Sequence, residues 1–231
     1  MAVEKVLSDK AYRLLRASSR AGFRHAYKGI RLDPQAYFEK LKRRLNLPAI
    51  HSWQDLQYLN DEELNPHADR VIRMSSRLAA LEGAGLGLGG LAAALPDFGI
   101  LAAVTVRMLQ KLSVTYGFDY SSDEELVGLW LAAASAAGLD LGRDFLGKQA
   151  MERLVPKIVD AVALKAGAEV AETIGTRVIP ILSAGAAGAL NYWFVKSWGR
   201  RAQRHFLNRR GTIRVLPGPP RPYLLRSPLP S

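Results

Sequence analysis

The chain has 231 residues, no cysteine and only four histidines, with 48% hydrophobic and 23% charged residues. This composition excludes disulfide scaffolds, thiolate metal sites, cysteine nucleophiles and disordered or collagen-like chains, and we expect no cofactor. The formal net charge of +11 is unevenly distributed, since residues 1–50 carry +8, residues 51–195 carry −6 and residues 196–231 carry +9. Two basic ends flank a mildly acidic centre, which favours an anionic partner, either lipid or nucleic acid.

A basic helix is predicted over residues 3–28. At about 100° per residue, one side of this helix collects these cations: Lys10, Arg13, Arg16, Arg20, Arg24 and Lys28. Such a helix fits a membrane surface, where its apolar side enters the headgroup region, or it is an ordinary packed helix with a solvated basic face. The N-terminus lacks the continuous apolar segment of a signal peptide, so we expect the chain on the cytoplasmic side.

The following helix starts are indicated by capping residues. Asp33 before Pro34 predicts a helix that begins at the proline, because aspartate is a good N-cap and proline suits the first helical position. Ser52 predicts a short helix over residues 53–59. Asn65 before Pro66 predicts the start of the next helix.

A glycine-rich segment runs from Gly83 to Gly90. Gly85, Gly87 and Gly90 satisfy the G-x-G-x-x-G spacing of dinucleotide-binding loops, but that loop must follow a strand and the preceding segment has helical periodicity. The four-residue spacing of Gly83 and Gly87 instead favours close approach of two helices, since small residues let backbones pack closely. We therefore predict tight helix packing here rather than nucleotide binding.

The next helix is predicted to begin at Asp97, which is interpreted as its N-cap. Arg107 and Lys111 are predicted to lie on a different face of this helix from the following residues, which share one face at helical spacing: Phe98, Leu101, Thr105, Met108, Leu112 and Tyr116. Gly117 is a natural left-handed residue after the last turn, so the helix should end there. The alternative for Asp97 is a buried functional carboxylate, as ionisable groups in apolar segments often are.

Three apolar segments, residues 83–106, 126–139 and 178–195, are candidates for membrane spans or for buried helices. Each is interrupted by polar residues or proline or is too short, and the mean hydropathy of −0.02 is low for a polytopic membrane protein. We therefore predict an all-α fold, a compact multi-helix domain of packed helical hairpins with basic N- and C-terminal extensions. The alternative is that these segments are true membrane-spanning helices, and a hairpin that inserts only shallowly is an intermediate case.

Several motifs occur in a characteristic order along the chain. They are Glu82-Gly83 with the glycines that follow, Leu95-Pro96-Asp97, Thr115-Tyr116-Gly117-Phe118-Asp119, and Ile179-Pro180 before Asn191. Over about residues 50–207 this order resembles the bacterial EcsC family, named for a protein encoded beside an ABC transporter. The resemblance implies an α-helical, membrane-linked accessory protein and does not imply an enzyme. Its motif positions here are Asp97, Tyr116, Gly117 and Asn191. Pro96 precedes Asp97 here, whereas the family tends to have the proline after the aspartate.

The chain divides into a basic N-terminal helical region (1–49), an EcsC-like α-helical core (50–207) and an Arg/Pro-rich extended tail (208–231). We predict a peripheral membrane-associated accessory protein whose basic ends dock on anionic lipid or on a membrane partner such as a transporter. The cations predicted to contact the anionic surface are Lys10, Arg13, Arg16, Arg20, Arg24, Lys28, Arg200, Arg201, Arg204, Arg209 and Arg210. The alternatives are a nucleic-acid-binding protein that uses the same ends and an integral or pore-forming helical protein. No catalytic constellation emerges, which favours a non-enzymatic role.

Overall fold

Helices account for the regular structure throughout the described part of the chain. The computed structural model describes residues 9–29, 31–86, 90–120, 123–139, 151–176 and 184–215. These residues form seven α-helices and one 3₁₀-helix, with these bounds: α1 Asp9–Gly29, α2 Pro34–Leu45, the 3₁₀-helix Trp53–Tyr58, α3 Asp61–Leu86, α4 Gly90–Thr115, α5 Asp123–Ala136, α6 Met151–Thr176 and α7 Ala184–Val215. Within those ranges no residue is in a β-strand. The predicted all-α fold is confirmed.

The N-terminal end of α2 is capped by Asp33, as the sequence predicts, and its C-terminal end is capped by the backbone. Asp33 Oδ1 accepts hydrogen bonds from the backbone N–H groups of Gln35 and Ala36 at 2.9 and 3.2 Å, and Pro34 begins the helix. At the other end Asn46 adopts a left-handed conformation, with φ 51° and ψ 56°. These caps satisfy backbone groups that a helix end otherwise leaves unpaired.

The C-terminus of α4 confirms that Gly117 ends this helix. Gly117 has a φ of 86°, its N–H donates to the carbonyl of Val114 at 3.0 Å, and the N–H of Phe118 donates to the carbonyl of Ser113 at 2.9 Å. This pair of bonds is a Schellman motif, which needs a left-handed residue. A Cβ at position 117 would lie 2.7 Å from the backbone nitrogen of Gln57, so glycine also lets the 3₁₀-helix approach α4.

Two predicted helix starts are wrong. α3 begins at Asp61 instead of after Asn65, because three acidic residues in its first turn suit the positive end of the helix dipole. Pro66 lies early in α3, where its missing N–H costs a single helical hydrogen bond. α4 begins at Gly90, so Asp97 is a residue of the helix and not its N-cap.

α3 and α7 pack against each other in antiparallel orientation. Asp61 at the start of α3 pairs with Arg210 near the end of α7, and Gly83 near the end of α3 lies against Asn191 in the first half of α7. A Cβ at Gly83 would collide with the side-chain amide of Asn191. The predicted close approach of helices is therefore confirmed at Gly83, whereas Gly87 lies outside the described residues.

α1 packs into the core instead of presenting a free apolar side. Ser19, Phe23 and Ala26 are buried, and Ser19 Oγ donates to the carbonyl of Ala163 in α6 at 2.6 Å. The ring of Phe23 lies 5.8 Å from that of Trp198 in α7. The described side chains of α1 thus fit the second interpretation, a packed helix with a solvated basic face.

Residues 208–215, assigned by sequence to the extended tail, continue α7 as helix. The proline-rich remainder of that predicted tail, residues 216–231, lies outside the described residues.

Candidate anion-binding surface

Two arginines predicted for the anionic surface are paired inside the fold. The guanidinium of Arg200 in α7 donates to Asp69 of α3, and that of Arg201 donates to both carboxylate oxygens of Glu169 in α6 at 2.7 and 2.8 Å. Glu169 also accepts a hydrogen bond from the indole N–H of Trp198 at 3.1 Å. The charges of Arg200 and Arg201 are therefore compensated by neighbouring helices.

Arg210 is buried, so its assignment to the anionic surface is wrong. Its side chain is 0% exposed and donates to Asp61 Oδ1 at 2.7 Å and to the carbonyls of Leu56 and Leu59 at 3.0 and 2.5 Å. Burial lowers the pKa of Arg210 to about 10, and the charge of Arg214 contributes to the decrease. The guanidinium satisfies carbonyls at the C-terminal end of the 3₁₀-helix and so ties that helix to α7.

The arginines of α1 are divided between one ion pair and solvent. Two guanidinium nitrogens of Arg24 donate to the two oxygens of Asp160 in α6 at 2.7 and 2.6 Å, and Arg20 lies 3.7 Å from the same carboxylate. Hydrogen bonding to Asp160 raises the pKa of Arg24, and the same interaction lowers the pKa of Asp160. Arg13 is exposed. The other predicted cations of α1 have side chains outside the described residues: Lys10, Arg16 and Lys28.

Arg204 and Arg209 complete the predicted set on α7. Arg204 is exposed, and the guanidinium of Arg209 lies 4.2 Å from the centroid of the Phe118 ring in a cation–π arrangement. Among the predicted cations whose side chains the structure describes, Arg13 and Arg204 are exposed without an ion pair. The basic ends thus offer fewer uncompensated charges than the sequence suggests.

A different region, where α2, α3 and α4 meet, carries cations that lack acidic partners. At its centre the hydroxyl of Tyr37 lies 3.0 Å from Nε2 of His67 and 3.3 Å from the hydroxyl of Thr115. His67 and Thr115 are buried. Burial lowers the pKa of His67 to about 4 and raises that of Tyr37 to about 12, so both side chains are neutral at pH 7.

Helical spacing surrounds this junction with positive charge. Lys40 and Arg44 lie about one and two turns after Tyr37, Arg70 lies about one turn after His67, and Arg107 and Lys111 lie about two turns and one turn before Thr115. We call these residues the cationic cluster: Lys40, Arg44, Arg70, Arg107 and Lys111.

The members of the cationic cluster act on one another electrostatically. After burial, the charges of Arg44, Arg70 and Lys111 are the causes that lower the pKa of His67. Burial likewise lowers the pKa of Lys111, with further contributions from Arg107 and Lys40. No carboxylate in the described ranges forms an ion pair with any member. The cluster is therefore a region of uncompensated positive charge.

The side of α3 that faces away from α7 combines apolar and basic residues. Met74, Leu78 and Leu81 follow one another at one-turn spacing and are 55%, 48% and 72% exposed. Three exposed arginines lie beside them, and residues 70–81 contain no acidic residue. We call this surface the α3 outer face, and its residues are Arg70, Arg73, Met74, Arg77, Leu78 and Leu81. Arg70 belongs to both the α3 outer face and the cationic cluster.

Charge counts along the chain miss the cationic cluster, because its members come from three separated segments. Their proximity depends on the contact among Tyr37, His67 and Thr115, which no local pattern reveals. The α3 outer face has a local signal in the absence of Asp and Glu from residues 70–81. That signal is masked in the sequence by the acidic first turn of the same helix.

Three of the four residues suggested by the family resemblance make structural contacts in the described part of the fold. Tyr116 is buried, donates to Asn65 Oδ1 at 2.8 Å and accepts from Gln203 Nε2 at 3.0 Å, and burial raises its pKa to about 12. Gly117 ends α4, and Asn191 packs across the interface between α3 and α7. Asp97 lies within α4, but its side chain is outside the described residues.

The described ranges were also compared with the requirements of a membrane-spanning helix and of a metal site. None of the helices in the described ranges is both long and apolar enough to cross a bilayer. Those ranges also contain no group of three or more His, Asp or Glu side chains placed to hold a metal ion.

Comparisons with known proteins agree with the resemblance. The EcsC protein family matches residues 1–210, so the match includes the N-terminal region as well as the predicted core. Protein EcsC of Bacillus subtilis (strain 168) is 34% identical over 93 residues, which cover 40% of this chain and 39% of that protein. The matched part thus spans about two fifths of that relative. No solved structure matches the chain. Because the family match covers most of the sequence, the chain belongs to the EcsC protein family.

Proposed function

We propose that this chain is a membrane-associated accessory protein that docks peripherally on anionic lipid at the cytoplasmic surface, through the α3 outer face. The observation that carries the proposal is the exposure of Met74, Leu78 and Leu81 beside arginines on one helix side without an acidic residue. An accessory role beside an ABC transporter is proposed from the family resemblance alone.

The α3 outer face has the two properties that interfacial docking requires. Moving a large apolar side chain from water to the acyl boundary is favourable. Fully burying one contributes about 1.5–3 kcal/mol to the binding free energy. Arginines near an anionic leaflet contribute about 1 kcal/mol each. Because Arg70, Arg73 and Arg77 are exposed, their charges can reach lipid phosphates without breaking contacts within the fold.

The proposal moves the docking surface away from the basic ends. Arg24, Arg200, Arg201 and Arg210 hold other helices in place, so lipid would compete with ion pairs that already exist. The apolar side of α1 around Phe23 is also buried and would have to leave the core to enter a membrane. Docking through the α3 outer face neither breaks an ion pair nor removes a side chain from the core.

Co-sedimentation of the full chain with vesicles tests this proposal. Vesicles of neutral phosphatidylcholine are compared with vesicles that also contain phosphatidylglycerol. We expect binding only to the anionic vesicles, and a loss of at least about tenfold in affinity for the triple variant R70Q/R73Q/R77Q. A second triple variant, M74S/L78S/L81S, should also bind less, and circular dichroism checks that both remain helical.

The matched control is the double variant R13Q/R204Q, which removes exposed arginines from the predicted basic ends. We expect it to bind anionic vesicles within about twofold of the original protein, since both residues lie outside the α3 outer face. If the control loses binding and the triple variants keep it, the docking surface is at the ends and the proposal is wrong. Equal binding to neutral vesicles, or binding to DNA without binding to vesicles, also contradicts it.

A further inference from the structure

We propose that the cationic cluster is a binding site for the phosphate monoester group of a ligand, seated where α2, α3 and α4 meet over the Tyr37–His67 pair. This inference does not depend on the proposed membrane docking, because a soluble phosphate compound could occupy the same site.

The first support is the geometry of the junction. Tyr37, His67 and Thr115 come from three different helices, and the short contacts among them fix those helices relative to one another. Cations spaced one and two turns away on the same helix faces must therefore surround the junction. Rigid helices hold a charged site more precisely than loops do.

The second support is that nearby carboxylates are engaged elsewhere. Asp33 caps α2, Glu39 accepts a hydrogen bond from the Gln35 side chain at 3.2 Å, and Asp119 accepts one from the backbone of Tyr120 at 2.6 Å. In contrast with Arg200, Arg201 and Arg210 of α7, members of the cationic cluster form no ion pair with a carboxylate in the described part of the fold.

The third support is the position of Lys111. This side chain is half-buried, yet its neighbours are the positive charges of Arg107 and Lys40. Holding a partly desolvated ammonium among like charges costs free energy, and a bound anion would remove that cost.

The number and type of the cations indicate the chemistry of the ligand. A single carboxylate would neutralise only one charge, whereas a phosphate monoester carries about −1.5 to −2 at pH 7 and offers three acceptor oxygens. Arg44, Arg70 and Arg107 can bind phosphate oxygens bidentately, and Lys111 adds a compact charge close to the helices. Because Arg70 is shared with the α3 outer face, the monoester could belong to a lipid headgroup or to a soluble molecule.

The first arm of the test uses inorganic phosphate and thermal unfolding of the full chain. At constant ionic strength, replacing chloride by saturating phosphate should raise the unfolding temperature by at least about 3 °C. The double variant R44Q/K111Q should lose this increase, whereas the control R13Q/R204Q should keep it. The proposal is overturned if phosphate has no effect beyond that of chloride, or if R44Q/K111Q responds as strongly as the original protein.

A measurement without phosphate separates a binding role from a structural one. If the cationic cluster awaits an anion, removing two of its charges relieves repulsion, so R44Q/K111Q should unfold at the same or a higher temperature than the original protein. A lower unfolding temperature would mean that Arg44 and Lys111 stabilise the fold and would contradict the proposal.

The second arm distinguishes the two sources of phosphate. Vesicles that contain phosphatidic acid, a phosphate monoester, are compared with vesicles that contain an equal charge of phosphatidylglycerol, a diester. A preference for phosphatidic acid that R44Q/K111Q loses assigns the site to a lipid headgroup. Equal binding to both vesicles together with the response to phosphate assigns it to a soluble phosphate compound.

Discussion

Three arginines of α7 and the arginines around α3 carry the same charge but differ in whether an acidic side chain neutralises it. In α7, Arg200 pairs with Asp69, Arg201 with Glu169 and Arg210 with Asp61. These three arginines join helices that are distant in sequence. Those of the α3 outer face and the cationic cluster have no acidic partner in the described ranges. Net charge along a sequence therefore does not locate a binding surface, because compensation depends on which helices become neighbours.

The largest loss of stability should come from replacing Arg210, the buried arginine of α7. The variant R210Q removes the guanidinium hydrogen bonds to the carbonyls of Leu56 and Leu59 and breaks the pairing of a buried charge with Asp61, so we expect its free energy of unfolding to be about 4 kcal/mol lower. Urea denaturation measures the difference. The exposed neighbour Arg214 contacts some of the same carbonyls, and R214Q should cost less than about 1 kcal/mol. Equal stability of the two variants would show that burial of Arg210 is not what makes it structural.

The next largest effect is the pH dependence of stability that His67 causes at the centre of the cationic cluster. Burial lowers the pKa of His67 from 6.5 to about 4, so the folded state takes up this proton less readily than the unfolded state. The associated stability is present above pH 6.5 and is lost as the pH falls toward 4, with a total of about 3 kcal/mol. The variant H67Q keeps an acceptor for Tyr37 but has no such proton.

Stabilities of the original protein and H67Q are therefore compared by urea denaturation at pH 7 and pH 4.5. The original protein should lose about 2 kcal/mol or more beyond the loss seen in H67Q over this interval. Titration of the carboxylates affects both proteins and cancels in the comparison. Parallel losses would place His67 in a more solvated environment than the junction of Tyr37 and Thr115 provides.

The smallest effect tests the sign of a single surface charge. Arg107 lies among like charges, so R107Q should raise stability by about 0.3 kcal/mol, and more at low salt, where screening is weaker. The variant R200Q loses its bond to Asp69 and should lower stability by up to about 1 kcal/mol. Urea denaturation at two salt concentrations measures both. Changes of the same sign in the two variants would remove the distinction between the paired and unpaired regions.

Features of the fold that depend on local chemistry could be predicted from the sequence. Asp33 before Pro34 and Gly117 after α4 act through neighbouring backbone groups, and both predictions are confirmed. The predicted starts of α3 and α4 are wrong. Pro66 and Asp97 are typical of helix starts, but both helices begin one turn or more earlier. Packing of a whole helix overrides a single capping signal.

The candidate site was less predictable for a physical reason. The local sequence does not distinguish Arg210 from Arg204. In the fold, Arg210 is buried because it faces Asp61 and the 3₁₀-helix, whereas Arg204 is exposed. Likewise, Lys40 and Lys111 become neighbours through a contact between helices that are separated by α3 in the chain. Such pairings require the tertiary structure.

The antiparallel pairing of α3 with α7 also has a consequence for how the chain acquires its structure. The bonds from Arg200 to Asp69 and from Arg210 to Asp61 join residues that are 131 and 149 positions apart. Closing loops of this length costs entropy before the contacts form and slows folding. On the ribosome, the inner side of α3 must wait until α7 has been made. We therefore expect the nascent chain to keep Gly83 and the apolar surface around it uncovered until α7 emerges, and we expect it to need protection from aggregation most during that interval.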